Sequence, residues 1–375
     1  MGIRHNVSPR FYLNPDNIMR IFFLFLSSAV FLSTCGCEKN PVDSKEGPKD
    51  PRQYTWSADT LAYPGSFQTG MRDIWGSSPK DVYVVGHNDR NRGLMYYFDG
   101  ETWKDVALST SQGGTIQGAI DLIAIYGFAA NDIWAVGEHI YSNPNPPPNF
   151  LDSSLVIHFD GRKWTEVNRR FRQRIFGVWG TSPTNVFAVG GDGIILHFDG
   201  VKWSSQFLSP SAALGAIGGD ASRYFVGGSI QAGGLDTLVA FANDGSGWKL
   251  LDKQFLGDYY SSPRFGPSDF YSPVPGVYYS VGWGIFRWQN TKWEKILSTE
   301  IFMNDIYGTG PNNIFATGQF GKAYHWNGSD WALLNLPFDK IPSDIWLTGV
   351  WTDGKEAFIC GHDTGGFQTF ILHGK

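Results

Sequence analysis

Charge is scarce in this chain. Only 17% of its 375 residues are Asp, Glu, Lys or Arg, against roughly 25% in ordinary soluble domains. Disordered chains are highly charged and poor in aromatics, so disorder is excluded for most of the sequence. A basic excess is lacking too. Beyond residue 34, 27 Lys and Arg face 34 Asp and Glu, a balance that repels polyanions and excludes nucleic acid as a partner. The cysteines are three, Cys35, Cys37 and Cys360, too few for a disulfide framework. Cys360 follows Ala357-Phe358-Ile359 and is expected to be a buried core thiol. Long apolar runs are limited to residues 21–32, too short to span a bilayer as a helix.

Glycine and aromatics are abundant. There are 46 Gly, about 12% against a usual ~7%, and aromatics make up 16%. The pairing points to short packed strands and tight turns, not to a helical bundle. Length alone would allow two or three domains.

Met19-Arg20 precedes the apolar run, and a basic start with a 7–15-residue apolar core makes a secretory signal peptide. Leu32-Ser33-Thr34-Cys35 then resembles the lipobox of bacterial lipoproteins, in which the cysteine is lipidated and becomes the mature N-terminus. Thr34 stands where that family has Gly, Ala or Ser. Gly36-Cys37 restores a small residue but moves Thr34 to the position preferring Leu. Cys35 is the expected lipidation site and Cys37 the alternative, with an ordinary secretory peptide as the competing reading. Residues 1–34 are read as the signal peptide and 35–53 as a polar, Pro-bearing flexible tether. The resemblance implies a lipid-anchored protein of the bacterial cell envelope, at the outer membrane or cell surface.

From residue 54 onward the chain repeats itself. Residues 174–203 read RIFGVWGTSPTNVFAVGGDGIILHFDGVKW, and 72–103 read RDIWGSSPKDVYVVGHNDRNRGLMYYFDGETW. The order returns at 123–164 and 304–331, more weakly at 214–248 and 276–293, and in part from Gly349. The closing residues Trp103, Trp164, Trp203, Trp248, Trp293 and Trp331 are 61, 39, 45, 45 and 38 apart. A period near 40–50 built from short strands is the mark of propeller blades. In the third unit, strand a ends at Val178-Trp179-Gly180, strand b spans 185–189, strand c spans 194–198, Asp199-Gly200 turns the chain, and strand d carries Trp203. The seventh unit stops where strand c would end, and Trp56 lies one period before Trp103. Residues 54–61 are therefore expected to supply the missing strand d. The fold class is all-β: a seven-bladed β-propeller over 54–375, its ring closed by the N-terminal strand.

These units resemble the bacterial tandem-repeat propellers of the form W-G-x-x-P-x-D-V-(F/Y)-A-V-G…I-x-H-(F/Y)-D-G-x-x-W, similar in style to kelch-like and photosystem-assembly-factor-like propellers. The resemblance specifies architecture; this fold does not by itself name an activity.

Candidate sites follow from the template. The D-G-x-x-W turns resemble a shortened sialidase Asp-box and are read as structural. His158, His197 and His325 share one strand c position, but on different blades they stand too far apart to meet at one zinc. No metal site, cofactor or catalytic residue is assigned. Asp73 and Asp305 precede the strand a aromatics Trp75 and Tyr307 by two residues and would face one channel; two such carboxylates are what a glycosidase needs. The a–b and c–d turns are short and regular, whereas the b–c and d–a segments 87–93, 138–153, 229–236 and 253–262 vary, which is where function tends to reside. Trp283, Tyr259 and Tyr260 there are candidate ligand-stacking aromatics, and Asp89 and Asp192, in b–c turns comparable with that of Asp363, are candidate cation-binding residues, with turn formation as the alternative. The leading expectation is a non-catalytic, monomeric envelope lipoprotein presenting a propeller face to a protein or glycan. A carbohydrate-active enzyme using channel carboxylates, or an assembly factor for an envelope complex, is the alternative.

Overall fold

Strand b of each repeat is apolar on both faces, and the molecule uses both. In Asn185–Gly190 every residue after the first is buried, because neighbouring blades cover the strand from either side. The computed structural model describes residues 49–375, apart from 147, 168–170, 233–234, 257–262, 339–343 and 366–367. The described strands form seven four-stranded antiparallel sheets, each ordered a-b-c-d. Strand a of each blade packs on strand a of the next, and that of the seventh packs on that of the first, so the sheets close into a ring.

Closure follows the expected route. Trp56–Leu61 pairs with Thr369–Gly374 as the fourth strand of blade seven. Thr55 and Lys375 exchange backbone hydrogen bonds at 2.9 and 3.2 Å, so the strand enters beside the chain's last residue, on the face of the a–b and c–d turns. Just before it, Pro51–Gln53 forms a 3-10 turn. Arg52 there donates to Asp330 in the c–d turn of blade six.

The repeated tryptophans are inter-blade side chains. Trp203 of blade three meets Trp134 on strand b of blade two, ring centroids 5.4 Å apart. Tyr83 with Trp164, Phe187 with Trp248 and Tyr279 with Trp331 repeat the contact. Truncating such a residue costs about 3–5 kcal/mol, which accounts for a Trp in every complete unit.

Two repeated glycines have separate causes. Strand a carries a bulge, between Leu122 and Ala124 in blade two, which presses its backbone onto strand b. A Cβ on Gly137 would lie 1.9 Å from the Asp121 carbonyl oxygen. Gly200 has φ +89°, and beside it the Asp199 carboxylate accepts from the Val201 and Lys202 amides, each at 2.9 Å. Asp99, Asp160 and Asn327 build the same turn. The D-G-x-x-W signature is thus a turn device.

The strand boundaries expected for blade three hold to within a few residues. Elsewhere the structure corrects the reading. Strand a of blade five is Asp269–Val274, upstream of the 276–293 copy, because Tyr271-Ser272-Pro273 replaces the usual W-G. Segment 138–153 is mostly hairpin, Asp132–Ser142 against Phe150–Phe159, and 229–236 is mostly Tyr224–Ala232 against Leu235–Asn243. Lys253 to Leu256 is the end of strand Trp248–Leu256. Polar residues there misled the reading: Glu138, His139, Ser153 and Ser154 are buried in the hairpin, where ion pairs such as His139 with Glu166 take the place of an apolar pattern.

Deleting residues 49–61 leaves Thr369–Gly374 as an open edge and removes Trp56 from Gly374. The expected result is a melting temperature about 10 °C lower and concentration-dependent aggregation, measured by scanning calorimetry and light scattering.

Candidate functional site: the central channel and the loop face

Strand a lines the axis, and its bulge turns two consecutive side chains toward the channel. At the second position the seven blades carry Asp73, Ala124, Gly177, Ala216, Asp269, Asp305 and Gly349. The aspartates link blades. The two oxygens of Asp73 accept from its neighbour Ile74 and from Ile125 of blade two, both at 2.8 Å. Asp305 accepts from Ile306 at 2.8 Å and from Val350 of blade seven at 2.6 Å. Asp269 accepts from Ile306 of blade six at 3.2 Å. The preceding position works in the opposite sense: Arg72, Asn304 and Thr348 donate to the Leu122, Leu347 and Met71 carbonyls of the following blade. Each junction so equipped gains a hydrogen bond of roughly 0.5–1.5 kcal/mol net.

The expected pairing of Asp73 and Asp305 on one channel is present, with Asp269 as a third member. Burial, and then the charge of Asp305, push the Asp73 and Asp269 carboxyls well above the ordinary carboxylate range. Burial also raises Asp305, opposed by hydrogen bonds from Asp269 and from the Val350 and Ile306 amides. Burial and the crowding of like charge thus act together against ionisation of the trio. Asp269 was missed because strand a of blade five lacks W-G; the match of Ser268-Asp269-Phe270-Tyr271 to Arg72-Asp73-Ile74-Trp75 was the available signal.

The aspartates form a waist between two openings. Toward the b–c and d–a loops is a narrow mouth of about 150 Å³ that includes Arg72, Asn304 and Thr348. Toward the a–b turns the channel widens to a chamber of about 380 Å³. Its walls carry Trp75, Tyr126, Trp179, Tyr271, Tyr307 and Trp351, the residue after the strand a aliphatic in six blades. Blade four has Gly218 instead, and Gly219, Asp220 and Ala221 line that side. Tyr271 and Tyr307 lie 5.8 Å apart. Burial raises the Tyr126 and Tyr271 hydroxyls, with Tyr307 the next cause.

The other candidates have individual outcomes. Trp283 is half-buried, edge-on to Phe302 at 5.5 Å. Asp89 accepts from the Phe67 and Gln68 amides at 3.1 and 3.2 Å, fixing the d–a loop of blade one. Asp192 is exposed, at φ +56°, 3.4 Å from Gln173 Nε2. Asp363 accepts from the Gly365 amide at 2.7 Å. Tyr259, Tyr260, Cys35 and Cys37 lie outside the described residues. Cys360 is free and buried. His158, His197 and His325 each bond within their own blade, to Asp132, Asn185 and Asn313 at 2.7, 2.7 and 2.9 Å. Their rings lie against Trp134, Phe187 and Phe315 of strand b.

The loop face also holds charge clamps between blades. Arg72 meets Asp121 at 2.9 Å, and Arg174 holds the buried Glu138 with two donors. Exposed apolar side chains recur on this face: Phe67 at 82%, Tyr141 at 44%, Phe320 at 41% and Trp346 at 39% exposure.

No protein-family model matches the chain, and no curated protein sequence does. Solved structures do. The protein described as YCF48 bound to D1 peptide superposes with a TM-score of 0.58 at 15% identity, over 87% of this chain and 95% of that one. YCF48 from Cyanidioschyzon merolae gives 0.55 at 13%, over 84% and 99%. The WD40 propeller domain of Doa1 gives 0.53 at 13%, over 86% and 97%. These likenesses establish the β-propeller fold.

A carboxyl whose folded pKa exceeds its unfolded value of about 3.9 holds a proton in the native state that the unfolded chain releases. Its stabilising contribution is complete below that value and is lost as pH rises through the folded pKa. Asp269→Asn keeps an acceptor for Ile306 and a donor for Asp305 without the charge. It should raise the melting temperature by about 2 °C near pH 8, with a smaller gain near pH 4, read by calorimetry across that range.

Proposed function

We propose that this chain is a non-catalytic binding or assembly propeller, anchored at the bacterial cell envelope through lipid on Cys35 or Cys37. The observation that carries the non-catalytic reading is the commitment of the channel carboxylates. Asp73 and Asp305 each direct both oxygens at backbone amides, and Asp269 accepts from two.

The partner is a protein bound on the b–c and d–a loop face, with glycan as the competing ligand. Phe67, Tyr141, Phe320 and Trp346 supply exposed apolar anchors there, the kind of side chain that dominates protein interfaces. The peptide-bound YCF48 structure, on the same fold, supports a protein over a sugar. The anchor supports the choice of face. The first strand enters on the turn face beside Lys375, so a lipid reached through residues 35–53 would hold that face toward the membrane and the loop face outward.

The test is crosslinking in intact cells followed by affinity capture of the full chain. A Phe67→Ser/Trp346→Ser variant should lose the captured envelope protein at least tenfold while its melting temperature stays unchanged. Retained capture by that variant, or binding only on a glycan array, would overturn the protein-face reading. Loss of metabolic palmitate labelling in a Cys35→Ala/Cys37→Ala variant is the expected mark of the anchor.

A further inference from the structure

The wide chamber of the channel belongs to neither the loop face nor its partner, since it opens on the opposite side, among the a–b turns. Among the described residues lining it there are four acids, Asp73, Asp220, Asp269 and Asp305, and no Lys, Arg or His. Its wall is aromatic in six blades, and at the fourth, where Gly218 packs on the Phe270 backbone, Gly219, Asp220 and Ala221 line it instead. Tyr126 is half-buried and lines the wall between Trp75 and Trp179.

We infer that this chamber is a binding site for an organic ammonium ion: an alkylammonium held by the faces of Trp and Tyr rings above a floor of aspartate charge. Cations within about 6 Å of a Trp or Tyr ring centroid are attracted to its face, the more so when desolvated. The same geometry disfavours a metal ion. Calcium takes 6–8 oxygens at about 2.3–2.6 Å, and the floor carboxylates are already occupied by the Ile74, Ile125, Ile306 and Val350 amides. They attract charge without being free to wrap a bare ion. An ammonium needs only a negative field, an acceptor such as the Tyr126 oxygen and aromatic contact for its methylenes. A chamber of about 380 Å³ admits a short amine or the end of one lysine side chain.

The test is calorimetric titration of the full chain with n-butylammonium and with Nα-acetyl-lysine amide, against n-butanol and the Nε-acetylated lysine as neutral counterparts. Both cations, or the free amine alone, should bind saturably at one site with quenching of tryptophan fluorescence; the second pattern assigns the ligand to a small amine. The neutral compounds should bind at least tenfold more weakly. Asp305→Asn, which removes the carboxylate best able to carry charge on the floor, should weaken the amine at least tenfold, and Ala221→Trp, which adds bulk to the lining at blade four, should abolish binding. Equal binding of the neutral compounds, no saturable ammonium binding in the millimolar range, or tighter binding of calcium than of either amine would overturn the proposal.

Discussion

Four of the seven blade junctions are joined at the axis by one kind of contact, a strand a bulge whose side chain reaches the backbone of the next blade. Sheets in a propeller share no ladder, so they must be joined by side chains. Tryptophan supplies apolar area further out, as Trp203 does against Trp134. At the axis the polar bulge residues do the joining: Asp73 to Ile125, Asp269 to Ile306, Asp305 to Val350 and Thr348 to Met71. Strand a is thereby fixed in register with its neighbour, and the aromatic residue that follows is held at the channel wall.

Those contacts also concentrate carboxylates where water is sparse. Three acids facing one another cannot all ionise without mutual repulsion, so burial and like charge push Asp73 and Asp269 strongly upward. What looks like acid–base machinery is thus a by-product of joining blades at the axis, and it leaves a field that a cation would relieve. The two faces then diverge: long hairpins and exposed aromatics on one, short Asx turns and the mouth of an acidic aromatic chamber on the other.

Most of the architecture was legible because the same physical demand recurs in each blade. The V-G glycine is needed wherever strand b passes the bulge, as at Gly137, and the D-G glycine wherever an Asx turn closes, as at Gly200. The closing Trp marks every inter-blade core. The channel was half legible: Asp73 and Asp305 were visible through the W-G and Y-G beside them, but Asp269 was hidden where Tyr271-Ser272-Pro273 breaks the template. The loops were least legible, because hairpin extensions such as 138–153 bury polar side chains, Glu138 and His139 among them, and so carry no apolar pattern. Spacing also said nothing of the aromatic chamber, since a strand a Trp facing the channel and one facing a neighbouring blade carry the same sequence signature.

A carboxyl kept protonated by burial at the axis is the most exposed consequence of this account. Infrared difference spectroscopy across a pH titration, comparing wild type with Asp269→Asn, detects it directly through the carbonyl stretch of a protonated carboxyl. The account predicts such a band persisting well above the ordinary carboxyl range in the wild type and weakened in the variant, where Asp73 still contributes. A wild-type protein whose carboxyls are all ionised by about pH 5 would contradict it.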